Sequence, residues 1–299
     1  MLVLAAFTAL TALVGVLLWV TRSHLFEPTP AVGLEDFEIV VPVLRHARRR
    51  SLIGLAAGAA VFSFLIWYGW VEPVFIGLPY AFAPGLGVAA GLLVFSCMRS
   101  PRLPKAQRRS ADIVPRRPWS FGPRWSFAVP SAFALGLVAV LLLIGIKSGD
   151  EDNLDFFYGW FLSIPLIVII AMIMGAVFFA LARTANAPAM SDPDLAPLDR
   201  HWREASTRMI TKLGMAALLG TAGIAAYVEG SFVQGVIAMF AADSDVTHGS
   251  AWVTAVGQQV VGAVLAVTSM VFWILAVLDT LSLRAPSARP AVFEAAGRP

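Results

Sequence analysis

Seven stretches of about 20 predominantly apolar residues run through the chain, at approximately 1–20, 52–71, 74–98, 126–146, 156–182, 210–228 and 252–278. A helix rises 1.5 Å per residue, so each is long enough to cross a hydrocarbon core of ~30 Å. With no water there to bond the backbone, a spanning segment closes its own hydrogen bonds, and runs of this length do so as helices. Lys212 is the only charge well inside a run, near enough to one end to snorkel. Pro79 and Pro84 interrupt the first half of the third run, and a kink is expected there.

Composition closes the other routes. The chain is 58% hydrophobic and only 14% charged, with a mean hydropathy of +0.77. A water-soluble surface needs about a quarter of its residues charged. The expected fold is therefore an all-α polytopic membrane protein, a bundle of seven transmembrane helices. Residues 1–283 form one transmembrane domain and 284–299 a short tail. No connection is long enough for a soluble catalytic domain.

Charge then sets the orientation. Of the 22 lysines and arginines, 21 fall in the segments after spans one, three, five and seven, and only Lys147 falls on the other side. By the positive-inside rule the N-terminus is outside and the C-terminus inside. Carboxylates take the complementary distribution: Glu72, Asp150, Glu151, Asp152, Asp155, Glu229, Asp243 and Asp245 face out. The first run has no basic residue before it, so it reads as a retained anchor and not as a cleaved signal. Arginine outnumbers lysine 19 to 3. That skew suggests a GC-rich bacterial genome, and so a bacterial cytoplasmic membrane.

The basic pI of 9.3 does not point to nucleic acid. The arginines flank spans, and Trp119 and Trp125 follow them at headgroup level, as anchors that meet anionic lipid do. Short interfacial helices are expected in three places. One lies before the second span, divided by Pro42; one covers 195–206; one covers 231–242, apolar but too short to cross and set off by Glu229-Gly230, with a re-entrant segment or a continuation of the sixth helix as the alternatives there. Spans two to seven make three hairpins, each entered from a basic segment. A triplicated two-span unit would look like this, and so would any hairpins that obey the charge rule.

Few residues are candidates for chemistry. Ionisable groups at depth are the usual functional signal in a bilayer, and the middle of every span lacks them. Glu72, Glu229 and Asp279 sit near span ends, where solvation is expected to hold them, and with Gln258 and Gln259 they are the candidates for a ligand or transport path. Gln258 and Gln259 are the best mid-membrane polar pair, suited to interhelical hydrogen bonding or to a ligand path. Gly54 and Gly58, Gly87 and Gly91, and Gly220 and Gly223 offer close helix packing. Asp150–Asp155 and Asp243, Asp245 with His248 supply oxygen and imidazole ligands, but neither spacing is diagnostic and no metal site or cofactor is expected. Cys97 is expected to be a small buried side chain.

The absence of HExxH, GxSxG and Walker A patterns and of a seventh-span lysine argues against an enzyme, an ATPase and a retinal protein. Two functions remain. The first is a non-catalytic subunit or scaffold that packs against a partner membrane protein or a second copy. The second is a transporter or permease for an apolar or lipid-like small molecule, for which a lateral cavity between the third and seventh spans is the expected mark.

Overall fold

The computed structural model describes residues 34–72, 77–99, 121–122, 125–147, 159–187, 196–241 and 249–283. These form six helices: α1 Leu34–Val71, α2 Leu78–Cys97, α3 Trp125–Lys147, α4 Gly159–Ala185, α5 Ala196–Ala241 and α6 Gly249–Ser282. All six are long and apolar enough to cross a membrane, and they contain candidate spans from Val41–Val71 to Trp252–Ser282. That is the make-up of a multi-pass membrane protein. The apolar run at 1–20, the Asp150–Asp155 and Asp243–His248 groups and the tail from 284 lie outside the described residues.

Two of the expected boundaries change. The surface helix before the second span is no separate element, because α1 runs through Pro42 from Leu34 to Val71. Likewise the expected helices at 195–206 and 231–242 are the two ends of one helix, α5, which is 46 residues and so about 69 Å long. Gly230 does not break it. A Cβ there would lie 2.6 Å from the Ala255 carbonyl oxygen, so the glycine lets α6 approach. In α2, Pro79 sits in the first turn, where its missing N–H costs nothing, and Gly77 takes the left-handed conformation (φ 79°) that turns the chain into the helix.

Glycine seams join the helices in pairs. Gly54 and Gly58 of α1 face Gly91 and Gly87 of α2, and a Cβ on Gly58 would come 2.8 Å from the Gly87 oxygen. One on Gly91 would come 2.6 Å from the Gly54 oxygen. In α5 and α6, Gly223 and Gly262 are in the same reciprocal contact, while Gly220 meets Ser269 and Pro84. Helices in lipid associate through such close packing because no hydrophobic drive separates them from the acyl chains. The middle pair, α3 and α4, lacks such a seam among the described residues, and there Gly145 makes room for the Trp160 ring.

α5 is the centre of the bundle. Two-thirds (67%) of its most apolar window is buried, against 11% for α3, which lies at the periphery. The core joins Leu92 and Phe95 of α2, Ile173 and Val177 of α4, and Ile210 and Leu218 of α5.

Candidate functional site

The basic ends of the helices meet at one end of the bundle, and side chains there cap the backbone. Arg203 of α5 is wholly buried. It donates to the carbonyls of Thr184 (2.8 Å), Ala185 (3.1 Å) and Ala187 (2.9 Å) at the end of α4, and it pairs with Asp199 at 2.9 Å. Its guanidinium also lies 5.1 Å from the Phe121 ring centre. Arg50 of α1 caps α2 in the same way, with Nε 2.7 Å from the Phe95 carbonyl oxygen and the guanidinium 4.0 Å above the Phe95 ring. A helix leaves its last four carbonyls unbonded, so both arginines answer a need that the fold creates. Val43, Leu44, Leu198, Trp202 and Leu283 close a small apolar core around this end.

Lys212 and Asp279 mark the next level. Their ammonium and carboxylate are 2.7 Å apart between α5 and α6. Asp279 is only 5% exposed, so it is not the solvated helix-end residue expected from the sequence. Lys212 does not simply snorkel; the neighbouring helix supplies its counter-charge. Cys97 also departs from expectation, for it is exposed. Leu92, Phe95 and Ser96 carry the buried face of α2 past it.

At the opposite end lies the polar group of Gln259, Ser231 and Gln234. The Gln259 amide donates to Ser231 Oγ at 3.1 Å and to Gln234 Oε1 at 2.9 Å, tying α6 to α5. Gln259 precedes Asp279 by 20 residues, about 30 Å along α6. The pair Gln258 and Gln259 is thus near the far end of the membrane-sized segment and not in its middle. Glu229, 17 residues beyond Lys212 on α5, is at the same far level, about 26 Å away. Glu72 follows the last turn of α1 and donates its backbone N–H to the Tyr68 carbonyl oxygen at 2.9 Å.

Between these two levels, two cavities lie on different sides of α5. The larger, about 440 Å³, is bounded by Ala59 and Phe62 of α1, Pro84 and Val88 of α2, Gly220 of α5, and Met270 and Trp273 of α6. Its lining is almost wholly apolar, and the Ser269 hydroxyl beside it is satisfied by the Ala216 carbonyl at 2.7 Å. Met270 and Ile274 on its wall are 65% and 50% exposed, so the cleft opens laterally. The smaller cavity, about 200 Å³, lies among α3, α4 and α5 and is lined by Leu137, Leu141, Leu166, Ser163, Thr221 and Glu229 among others.

Of the five residues singled out for a ligand path, only Glu229 lines either cavity. Gln258, Gln259, Glu72 and Asp279 line neither. The glycines are distributed differently: Gly220 forms part of the wall of the large cleft, and the rest form helix seams. Sequence reasoning passed over Ser163 and Thr221, because a serine or threonine in an apolar helix usually bonds its own backbone. Ser96, Ser131, Thr184, Thr211, Ser231, Thr268 and Thr280 each do so, to the carbonyl four residues back. Ser163 and Thr221 are buried and have no hydrogen-bond partner among the described residues. No group of three or more metal-ligating side chains occurs among the described residues.

No protein-family model, curated protein or solved structure matches the chain.

Proposed function

We propose that the protein is a transporter or permease for an apolar or lipid-like small molecule, which enters from the bilayer through the cleft between α2 and α6. The 440 Å³ volume of that cleft and its lateral opening carry the reading. The third and seventh apolar runs, where a substrate path was expected, supply part of its walls, the second and sixth runs supply the rest, and none of them asks for buried charge in the substrate. In this reading the run at 1–20 is a seventh span, the N-terminus is outside, and the basic ends of α1–α6 face the cytoplasm. The arginine-rich composition favours a bacterial cytoplasmic membrane, with anionic lipid against the basic face.

A non-catalytic subunit remains the competing reading. The packing glycines close seams between helices of this chain, so they do not call for a partner. An alkyl probe bearing a photoactivatable diazirine separates the two. In bilayer nanodiscs it is expected to label 59–63 and 266–274 well above the lipid-facing side of α3 around Leu135, which is 71% exposed. Ala59→Trp, a change at an exposed position on the rim, should cut the α6 labelling several-fold and leave α3 unchanged. Equal labelling of both surfaces, unaffected by Ala59→Trp, would contradict a cleft that takes a ligand.

A further inference from the structure

The smaller cavity differs in chemistry from the cleft. It contains one carboxylate and two hydroxyls in an otherwise apolar lining, with no cationic residue. Ser163 and Thr221 are 1% and 2% exposed, and their hydroxyls have no partner among the described residues. Leaving a buried hydroxyl unbonded is costly, so a fold keeps two such groups beside one cavity only where something offsets the cost. Glu229 is half-buried and takes part in none of the ion pairs among the described residues.

The three groups are ordered along the cavity. Gly214 of α5 packs on Val177 of α4; Ser163 is 14 residues from Val177, about 21 Å, and Glu229 is 15 residues from Gly214, about 22 Å, so the two share the far level. Thr221 is eight residues before Glu229 on α5, about 12 Å deeper, where Ile170 and Leu166 close the wall. Gly85 leaves the space beside the threonine: a Cβ there would stand 2.9 Å from Thr221 Oγ1 and would also collide with Ile169. The cavity thus has an anionic, hydrogen-bond-accepting mouth and a long apolar body.

We propose that this cavity binds an amphipathic amine, with the ammonium held by the Glu229 carboxylate and the Ser163 hydroxyl and the hydrocarbon lying against Leu137, Leu141 and Leu166. A protonated amine supplies the positive charge and the donors that the carboxylate lacks, whereas a carboxylate or phosphate at the same place meets repulsion. The site is separate from the α2–α6 cleft and does not depend on it.

Three radiolabelled probes of equal chain length test this: octylamine, octanol and octanoate, each bound to the full chain in nanodiscs and corrected for empty nanodiscs. Octylamine is expected to bind most tightly, octanol more weakly, and octanoate not at all. Glu229→Gln should weaken octylamine roughly tenfold and leave octanol unchanged, since it removes charge but keeps shape. Ser163→Ala should weaken both alcohol and amine. Ala222→Phe, which fills the cavity from the α5 wall, should abolish both, while Ala59→Trp on the other cleft leaves octylamine binding intact. Retained octanol binding shows that the Glu229→Gln protein is folded. Equal binding of octanoate and octylamine, or octylamine binding insensitive to Glu229→Gln, would overturn the assignment. So would octylamine binding no greater than that of empty nanodiscs.

Discussion

At the level of single residues, buried arginines hold the bundle together at one end, and each is matched to a specific backbone need. Arg203 bonds three carbonyls at the end of α4 and the Asp199 carboxylate, so its loss strands an anion and three acceptors at once. Arg203→Ala is expected to destabilise by about 3–5 kcal/mol, the range for breaking a buried ion pair. Arg203→Lys should recover little, because an ammonium lacks the planar fork that reaches several acceptors together. Thermal unfolding in detergent, followed by size-exclusion fluorescence, reads both. Lys212 and Asp279 call for a different comparison. Either single change, Lys212→Met or Asp279→Leu, leaves a charge unpaired, so the double variant should be more stable than the less stable of the two. None of these pairs was legible in the sequence, since each joins residues on different helices or in a segment read as a separate surface helix. Helix ends could be read, but which side chain caps which end depends on how helices pack.

At the level of the helix, the short apolar runs were readable and their continuations were not. Hydropathy located every described span, because a run of 20 apolar residues carries its own signal. It failed where polar and apolar lengths share one helix: Pro42 and Gly230 look like breaks, yet α1 and α5 run through them. At Gly230 the reason is visible, since the missing side chain is what lets Ala255 approach. The glycines of α1 and α2 obey the same logic. Gly91→Leu forces a side chain into the Gly54 carbonyl and Gly58, and it should cost at least 1–3 kcal/mol, as overpacking does. Gly175→Leu on α4, where nothing lies within 4 Å, should cost far less in the same unfolding assay. Gln259 belongs to this level as well. Gln259→Leu removes its bonds to Ser231 and Gln234 and is expected to weaken the α5–α6 seam by ~0.6–2 kcal/mol while leaving both cavities open.

For the molecule as a whole, antiparallel neighbouring helices bring basic side chains to one end of the described bundle. Contacts from Arg50 to Phe95, Arg203 to Thr184 and Lys212 to Asp279 set basic side chains of α1 and α5 against the ends of α2, α4 and α6 at one end of the bundle. Placing that end in the cytoplasm predicts the behaviour of cysteine probes. In intact cells, a membrane-impermeant maleimide should label Lys147→Cys in a Cys97→Ser background and spare the exposed native Cys97 until the membrane is opened. The overall class was legible because lipid demands helices of spanning length. The cavities were not, because they arise from small residues of α5 meeting Pro84, Met270 and Leu141 across helices. The proposed transport function rests on what occupies them. Native mass spectrometry of the protein released gently from its own membrane tests this most directly. The protein should appear alone or as a homo-oligomer, carrying a small apolar or lipid-like mass that Ala59→Trp removes. A co-released partner protein at fixed stoichiometry, with no small-molecule adduct in either variant, would contradict a carrier and establish a subunit.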